Sequence, residues 1–124
     1  MTKWIYLTVG GIAGTFLRYF VAGAIYKKLG TEFPYGTLVV NLSACVLIGF
    51  FNSLAEDKLL LGPNERLLAM TGFVGAYSTF STWILETSNL MRDGEFLRAF
   101  VNLIFSAAIG LAFFRLGDFI GKTI

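Results

Sequence analysis

The feature that most constrains this chain is where its apolar residues lie. They fall in four long runs, at about 4–26, 35–54, 67–90 and 97–116, with short charged or breaker-rich connectors between. A helix that crosses a bilayer needs ~20 mostly apolar residues, and each run is of that order. Charge inside the runs is sparse. The first holds Arg18, the second none and the third only Glu86, while the fourth lies between Arg98 and Arg115, whose stems can snorkel and lengthen it. The connectors 27–34, 55–66 and 91–98 carry Gly30, Pro34, Gly62-Pro63-Asn64 and Asp93-Gly94. Composition agrees: 15% of the residues are charged and 56% hydrophobic, against about 25% charged in a soluble domain. A chain of 124 residues has too much surface to hide that apolar content in water. It also lacks the low hydrophobicity and high net charge of disorder. The expectation is an all-α membrane protein, one membrane domain over 1–124 with four transmembrane helices.

Several function classes fall away. The formal charge of +2 is too balanced for a nucleic-acid partner. With no histidine, the commonest catalytic base and metal ligand is missing. Cys45 is the only cysteine, so neither an internal disulfide nor a cysteine-rich metal site can form. No pair of intramembrane carboxylates is present for acid–base work, so an enzyme is not expected. Lys3, the apolar run and Ala22-Gly23-Ala24 imitate a cleavable signal, but Arg18 and the run's length favour a span. With four spans, Lys3, Lys58, Arg66, Arg115 and Lys122 share one side, and Lys27, Lys28, Arg92 and Arg98 the other. Such a small bias permits insertion either way up.

The polar residues inside the runs are few and patterned. Gly10, Gly14 and Arg18 share one helix face, where the glycines permit close helix approach. Arg18 there either attracts anions or bonds structurally to carbonyls. Asn41, Cys45 and Gly49 share a face of the second run, and Asn102, Ser106 and Gly110 one of the fourth. Asn41 can donate to an anion or to another helix. The third run, Thr71-Gly72-Phe73-Val74-Gly75-Ala76-Tyr77-Ser78-Thr79-Phe80-Ser81-Thr82-Trp83, is poor material for an unbroken helix. Irregular backbone at membrane depth is tolerated only inside protein or beside water. A break there frees carbonyls for a cation, and amides and hydroxyls for an anion. Thr71, Gly75, Ser78/Thr79, Thr82 and Glu86 form a polar stripe, with Phe73, Tyr77 and Phe80 as an aromatic stripe beside it. Aromatic ring edges are electropositive and can face an anion, although such stripes also simply pack.

Three stretches carry a resemblance: Gly-Gly-x-x-Gly-x-x-x-Arg-Tyr at 10–19, Tyr-Gly-Thr-Leu-x-x-Asn at 35–41 and Thr-Gly-Phe-x-Gly-x-x-Ser-Thr-Phe-Ser-Thr at 71–82. In order, spacing and chain length they resemble the CrcB/Fluc family of small bacterial fluoride channels. The resemblance implies an antiparallel homodimer in the bacterial inner membrane, with two pores between inverted protomers and a third span broken at mid-membrane. It implies a central, non-transported Na⁺ held by the backbone carbonyls of Gly75 and Ser78. It implies pore-lining or fluoride-contacting roles for Phe80, Trp83, Asn41, Ser81, Thr82, Asn102 and Ser106, and a vestibule or structural role for Arg18.

One departure stands out. The family usually has Phe-Ser-Thr-Phe, whereas this chain has Phe80-Ser81-Thr82-Trp83, which brings a larger ring and an indole N–H. Ser78 stands where many relatives have Thr, a change that a carbonyl ligand survives. The expected function is passive, selective export of fluoride across the bilayer. The rival readings are a proton-coupled small multidrug exporter and a non-transporting membrane scaffold. The first lacks its acidic residue in the first span, and the second does not explain hydroxyls and aromatics gathered in one run.

Overall fold

The computed structural model describes residues 1–124, and every regular element in it is helical. Helix α1 spans Thr2–Leu29 and α2 spans Tyr35–Glu56. A short α3, Pro63–Arg66, runs into a π-helical stretch, Leu67–Val74, and then a single turn, α4, Gly75–Tyr77. Helix α5, Phe80–Arg92, and helix α6, Phe96–Thr123, complete the chain.

The connectors end the helices for local reasons. Gly30 takes φ 83°, a conformation that costs a residue without Cβ nothing, and its N–H closes on the Tyr26 carbonyl at 2.9 Å. Pro63 occupies the first turn of α3, where a missing N–H breaks no bond. Gly94, at φ 79°, turns the chain from α5 into α6.

The helices pack as two close pairs, α1 against the π-helical stretch and α2 against α6. Glycine makes both approaches. A Cβ on Gly10 would meet the backbone N of Phe73 at 2.9 Å, and one on Gly14 the N of Tyr77 at 3.0 Å. On the other pair, a Cβ on Gly117 would meet the carbonyl carbon of Val46 at 2.8 Å, and one on Gly49 the N of Asp118 at 3.0 Å. Val40 and Ala44 from α2 join Val74 and Tyr77 in the small core that ties the pairs together.

That core is thin. Only 20 of the 124 residues are buried, and Phe16, Phe20, Phe100 and Leu111 stand well exposed. An apolar surface this continuous belongs against lipid or another protein. Helices α1, α2 and α6 are each long and apolar enough to cross a membrane. Helix α6 continues to Thr123, beyond the apolar run that ends near 116. The run 67–90 is not one helix. It divides into the π-helical stretch, α4 and α5, preceded by α3.

Candidate functional site

The division between α4 and α5 organises everything around it. Ser78 (φ −82°, ψ 158°) and Thr79 (φ −148°, ψ 115°) are extended, so the helical ladder stops and restarts. A helix end leaves its last carbonyls and first amides without partners in the helix. Side chains from three elements meet several of them. Arg18 Nε donates to the Ala76 carbonyl at 3.1 Å. Asn41 Nδ2 donates to the Thr79 carbonyl at 3.2 Å, while the Thr79 N–H donates to Asn41 Oδ1 at 3.0 Å. The Thr79 hydroxyl caps α5, accepting from the Thr82 N–H at 3.3 Å and donating to the Thr82 hydroxyl at 3.1 Å.

The carbonyls of Gly75 and Ser78 are among those left over. The Thr79 N–H that would close a turn on Gly75 is turned to Asn41 instead. No N–H or hydroxyl of the chain donates to the Ser78 carbonyl. Gly75 itself is exposed. These are oxygen donors of the kind a hard cation takes, and no group of three or more His, Cys, Asp or Glu is placed to hold a metal ion as an alternative.

The aromatic stripe of the sequence divides at the same point. Phe73 and Tyr77 stack at 6.0 Å with their planes 4° apart, and Tyr77 is buried, with its hydroxyl 2.8 Å from the Ser43 hydroxyl. Beyond the break, Phe80 turns outward, 72% exposed, and meets Trp83 edge-on at 5.6 Å. The Trp83 indole N–H donates to the Asn102 carbonyl at 3.0 Å.

The anticipated residues are distributed over adjoining hollows. Asn41, Gly75, Ser78, Phe80 and Trp83 line one hollow of about 390 Å³. Asn41, Trp83 and Ser106 line its neighbour, of about 420 Å³. Ser106 Oγ is shielded from solvent and has no hydrogen-bond partner. Thr82 and Arg18 line a third hollow of about 320 Å³ on the α1 side. Asn102 lies in none of these. It is 1% exposed, and its amide donates to the Thr87 hydroxyl at 2.7 Å. Ser81 is exposed on α5, outside all three.

Sequence reasoning placed Thr79 in the polar stripe without its capping role, and missed Thr87. The signal for Thr79 was a threonine three residues before Thr82, the spacing of a helix cap. Thr87 carried no signal beyond its place one turn after Trp83. The largest hollow, about 720 Å³, is elsewhere, between the connectors, and it gathers Glu32, Glu86, Asp93 and Glu95 around Arg98. Four carboxylates against one guanidinium disfavour an anion at this mouth. At its inner edge the Tyr26 hydroxyl donates to Glu86 Oε2 at 2.9 Å.

The family model described as CrcB-like protein, Camphor Resistance (CrcB), matches residues 5–118. The chain belongs to the CrcB family. Members similar to it include the fluoride-specific ion channel FluC of Maridesulfovibrio salexigens, 38% identical over 124 residues, which cover 100% of this chain and 98% of the relative. The fluoride-specific ion channel FluC 2 of Mycobacterium bovis is 44% identical over 116 residues, 94% of this chain and 87% of the relative. The FluC of Nitrosococcus oceani is 39% identical over 122 residues, 98% of each chain. The CrcB match takes in the whole break and α6 as far as Asp118.

Proposed function

We propose that this CrcB-family chain is a fluoride-selective channel of the bacterial inner membrane, exporting fluoride passively as an antiparallel homodimer. The observation that carries the reading is the end-to-end likeness to proteins named as fluoride-specific ion channels. The chain crosses the membrane four times, over about 4–26, 35–54, 67–90 and 97–116. The third crossing is broken at mid-membrane by the extended residues Ser78 and Thr79. The exposed apolar helix faces and the near-even split of loop cations support pairing between oppositely inserted copies.

The mechanism follows from the chemistry of the break. Fluoride must leave a tight hydration shell, and conduction requires contacts good enough to enter and weak enough to leave. Neutral donors meet both conditions. Hydroxyls at Ser81, Thr82 and Ser106, the amide of Asn41 and the ring edges of Phe80 and Trp83 supply many modest contacts and no single strong one. Ser106 supports this reading most directly, because its shielded hydroxyl has no partner in the chain while lining the hollow that Asn41 also lines. Arg18 raises the local concentration of anions beside Thr82. Asn102 contributes through the backbone around it, since its side chain is engaged with Thr87. The leftover carbonyls of Gly75 and Ser78 fit a Na⁺ ion shared at the dimer axis. When bound, that ion supplies fixed positive potential near the anion path without being transported.

The test is direct. Fluoride efflux from proteoliposomes carrying the purified protein, followed with a fluoride electrode, is expected to be fast, with chloride efflux far slower. Absence of fluoride efflux from both this chain and its Trp83→Phe variant overturns the reading.

A further inference from the structure

We propose that the indole of Trp83 is a latched partition across the anion path, held in place by a closed ring of hydrogen bonds with Thr87 and Asn102. The proposal rests on the channel reading above and adds two positioning residues to it. The Trp83 N–H donates to the Asn102 carbonyl at 3.0 Å. The Asn102 amide donates to the Thr87 hydroxyl at 2.7 Å. The Thr87 hydroxyl donates in turn to the Trp83 carbonyl at 2.8 Å. The Thr87 hydroxyl accepts one of these bonds and donates the next, so those two polarise and strengthen each other, while the three together tie residues 83, 87 and 102 into one loop. Asn102 and Thr87 are 1% and 3% exposed, so water does not compete for these bonds.

What the ring holds is the wall between two hollows. The hollow beside Ser78 and Phe80 and the one beside Ser106 share only Asn41, Cys45 and Trp83 among their lining residues. Asn41 and Cys45 both come from α2, so Trp83 alone forms the opposing side of the passage. An ion moving from Ser106 toward Ser78 passes between α2 and the indole. With its N–H tied to α6, the ring cannot swing aside unless that bond opens. A phenylalanine at this position has no N–H and cannot be tied in this way. Thr87 and Asn102 touch no ion in this scheme. They act through the orientation of Trp83.

The experiment uses full-length protein in proteoliposomes on a Trp4→Phe background, which leaves Trp83 as the sole tryptophan. Trp4 is exposed near the start of α1, away from both hollows. Trp83 is replaced by 3-benzothienylalanine, which keeps the shape of the indole and lacks its N–H. Fluoride efflux is expected to rise about fivefold, the population change that loss of one neutral hydrogen bond makes. In parallel, Thr87→Val is expected to lower the fluorescence anisotropy of Trp83 and to raise efflux, and Thr87→Ser to restore both. Efflux from the benzothienyl protein equal to or below that of its parent overturns the proposal. So does an anisotropy that Thr87→Val leaves unchanged. Absence of fluoride efflux from both the parent and its Trp83→Phe version overturns the channel reading instead, and the anisotropy response then decides the latch on its own.

Discussion

The side chain of Asn41 does the work of a neighbouring strand, and that can be tested with one atom. Its amide exchanges two hydrogen bonds with a single residue, Thr79, at 3.2 and 3.0 Å. Asn41→Ala strands both the N–H and the carbonyl of Thr79. At about 1 kcal/mol net for each bond, the variant is expected to lose about 2 kcal/mol. Asn41→Asp is more discriminating. An ionised carboxylate still accepts from the Thr79 N–H but sets its second oxygen against the Thr79 carbonyl. Asn41→Asp is therefore expected to match or exceed the alanine deficit, because it adds repulsion at the Thr79 carbonyl to the loss of one bond. Dodecyl sulfate titration followed by circular dichroism measures the stability, and fluoride efflux measures the function. An alanine variant within about 0.5 kcal/mol of the parent, or an aspartate variant as stable as the parent, refutes the bridging role.

Three further outcomes follow from the same geometry. Gly117→Ala forces a methyl onto the Val46 carbonyl and is expected to cost about 1–3 kcal/mol. Gly23→Ala, with nothing within 4 Å of its Cβ, is expected to be neutral or stabilising by up to about 1 kcal/mol; the two are compared by dodecyl sulfate titration. Arg18→Gln is expected to slow fluoride efflux at low ionic strength, with the deficit shrinking as salt screens the lost charge; a salt-independent deficit points to the Ala76 bond instead. Replacing Na⁺ by a large organic cation throughout purification and assay is expected to lower efflux, and Ser78→Ala to keep the same Na⁺ requirement, because the ligand is a carbonyl; efflux indifferent to Na⁺ removes the cation from the mechanism.

The helical membrane class was legible because it depends on the coarse distribution of apolar residues, which no local detail can mask. The trouble with the third run was also legible in Gly75, Ser78 and Thr79. The form of the trouble was not. Whether a glycine- and hydroxyl-rich run kinks, widens or breaks depends on what bonds to it from elsewhere, and those bonds come from Arg18 and Asn41, 58 and 38 residues away. Side-chain direction was legible only where the helix is continuous. Phe73, Tyr77 and Phe80 looked like one stripe because helical spacing was carried through Ser78 and Thr79, where the backbone is extended. That the Asn102 amide is engaged was not legible, because its partner, Thr87, lies on another helix and shows no periodic relation to it.

The glycine contacts invert the usual map of fragility. In a water-soluble domain the large buried hydrophobics are the positions that resist change. Here most large apolar side chains face outward, where leucine, isoleucine and phenylalanine serve a lipid-like surroundings about equally well. The intolerant positions are the smallest residues, Gly10, Gly14, Gly49 and Gly117, each set against another helix's backbone. A saturation scan of this chain would therefore be darkest where the side chain is nothing at all, and the lineage can drift in bulk almost anywhere else while keeping its shape.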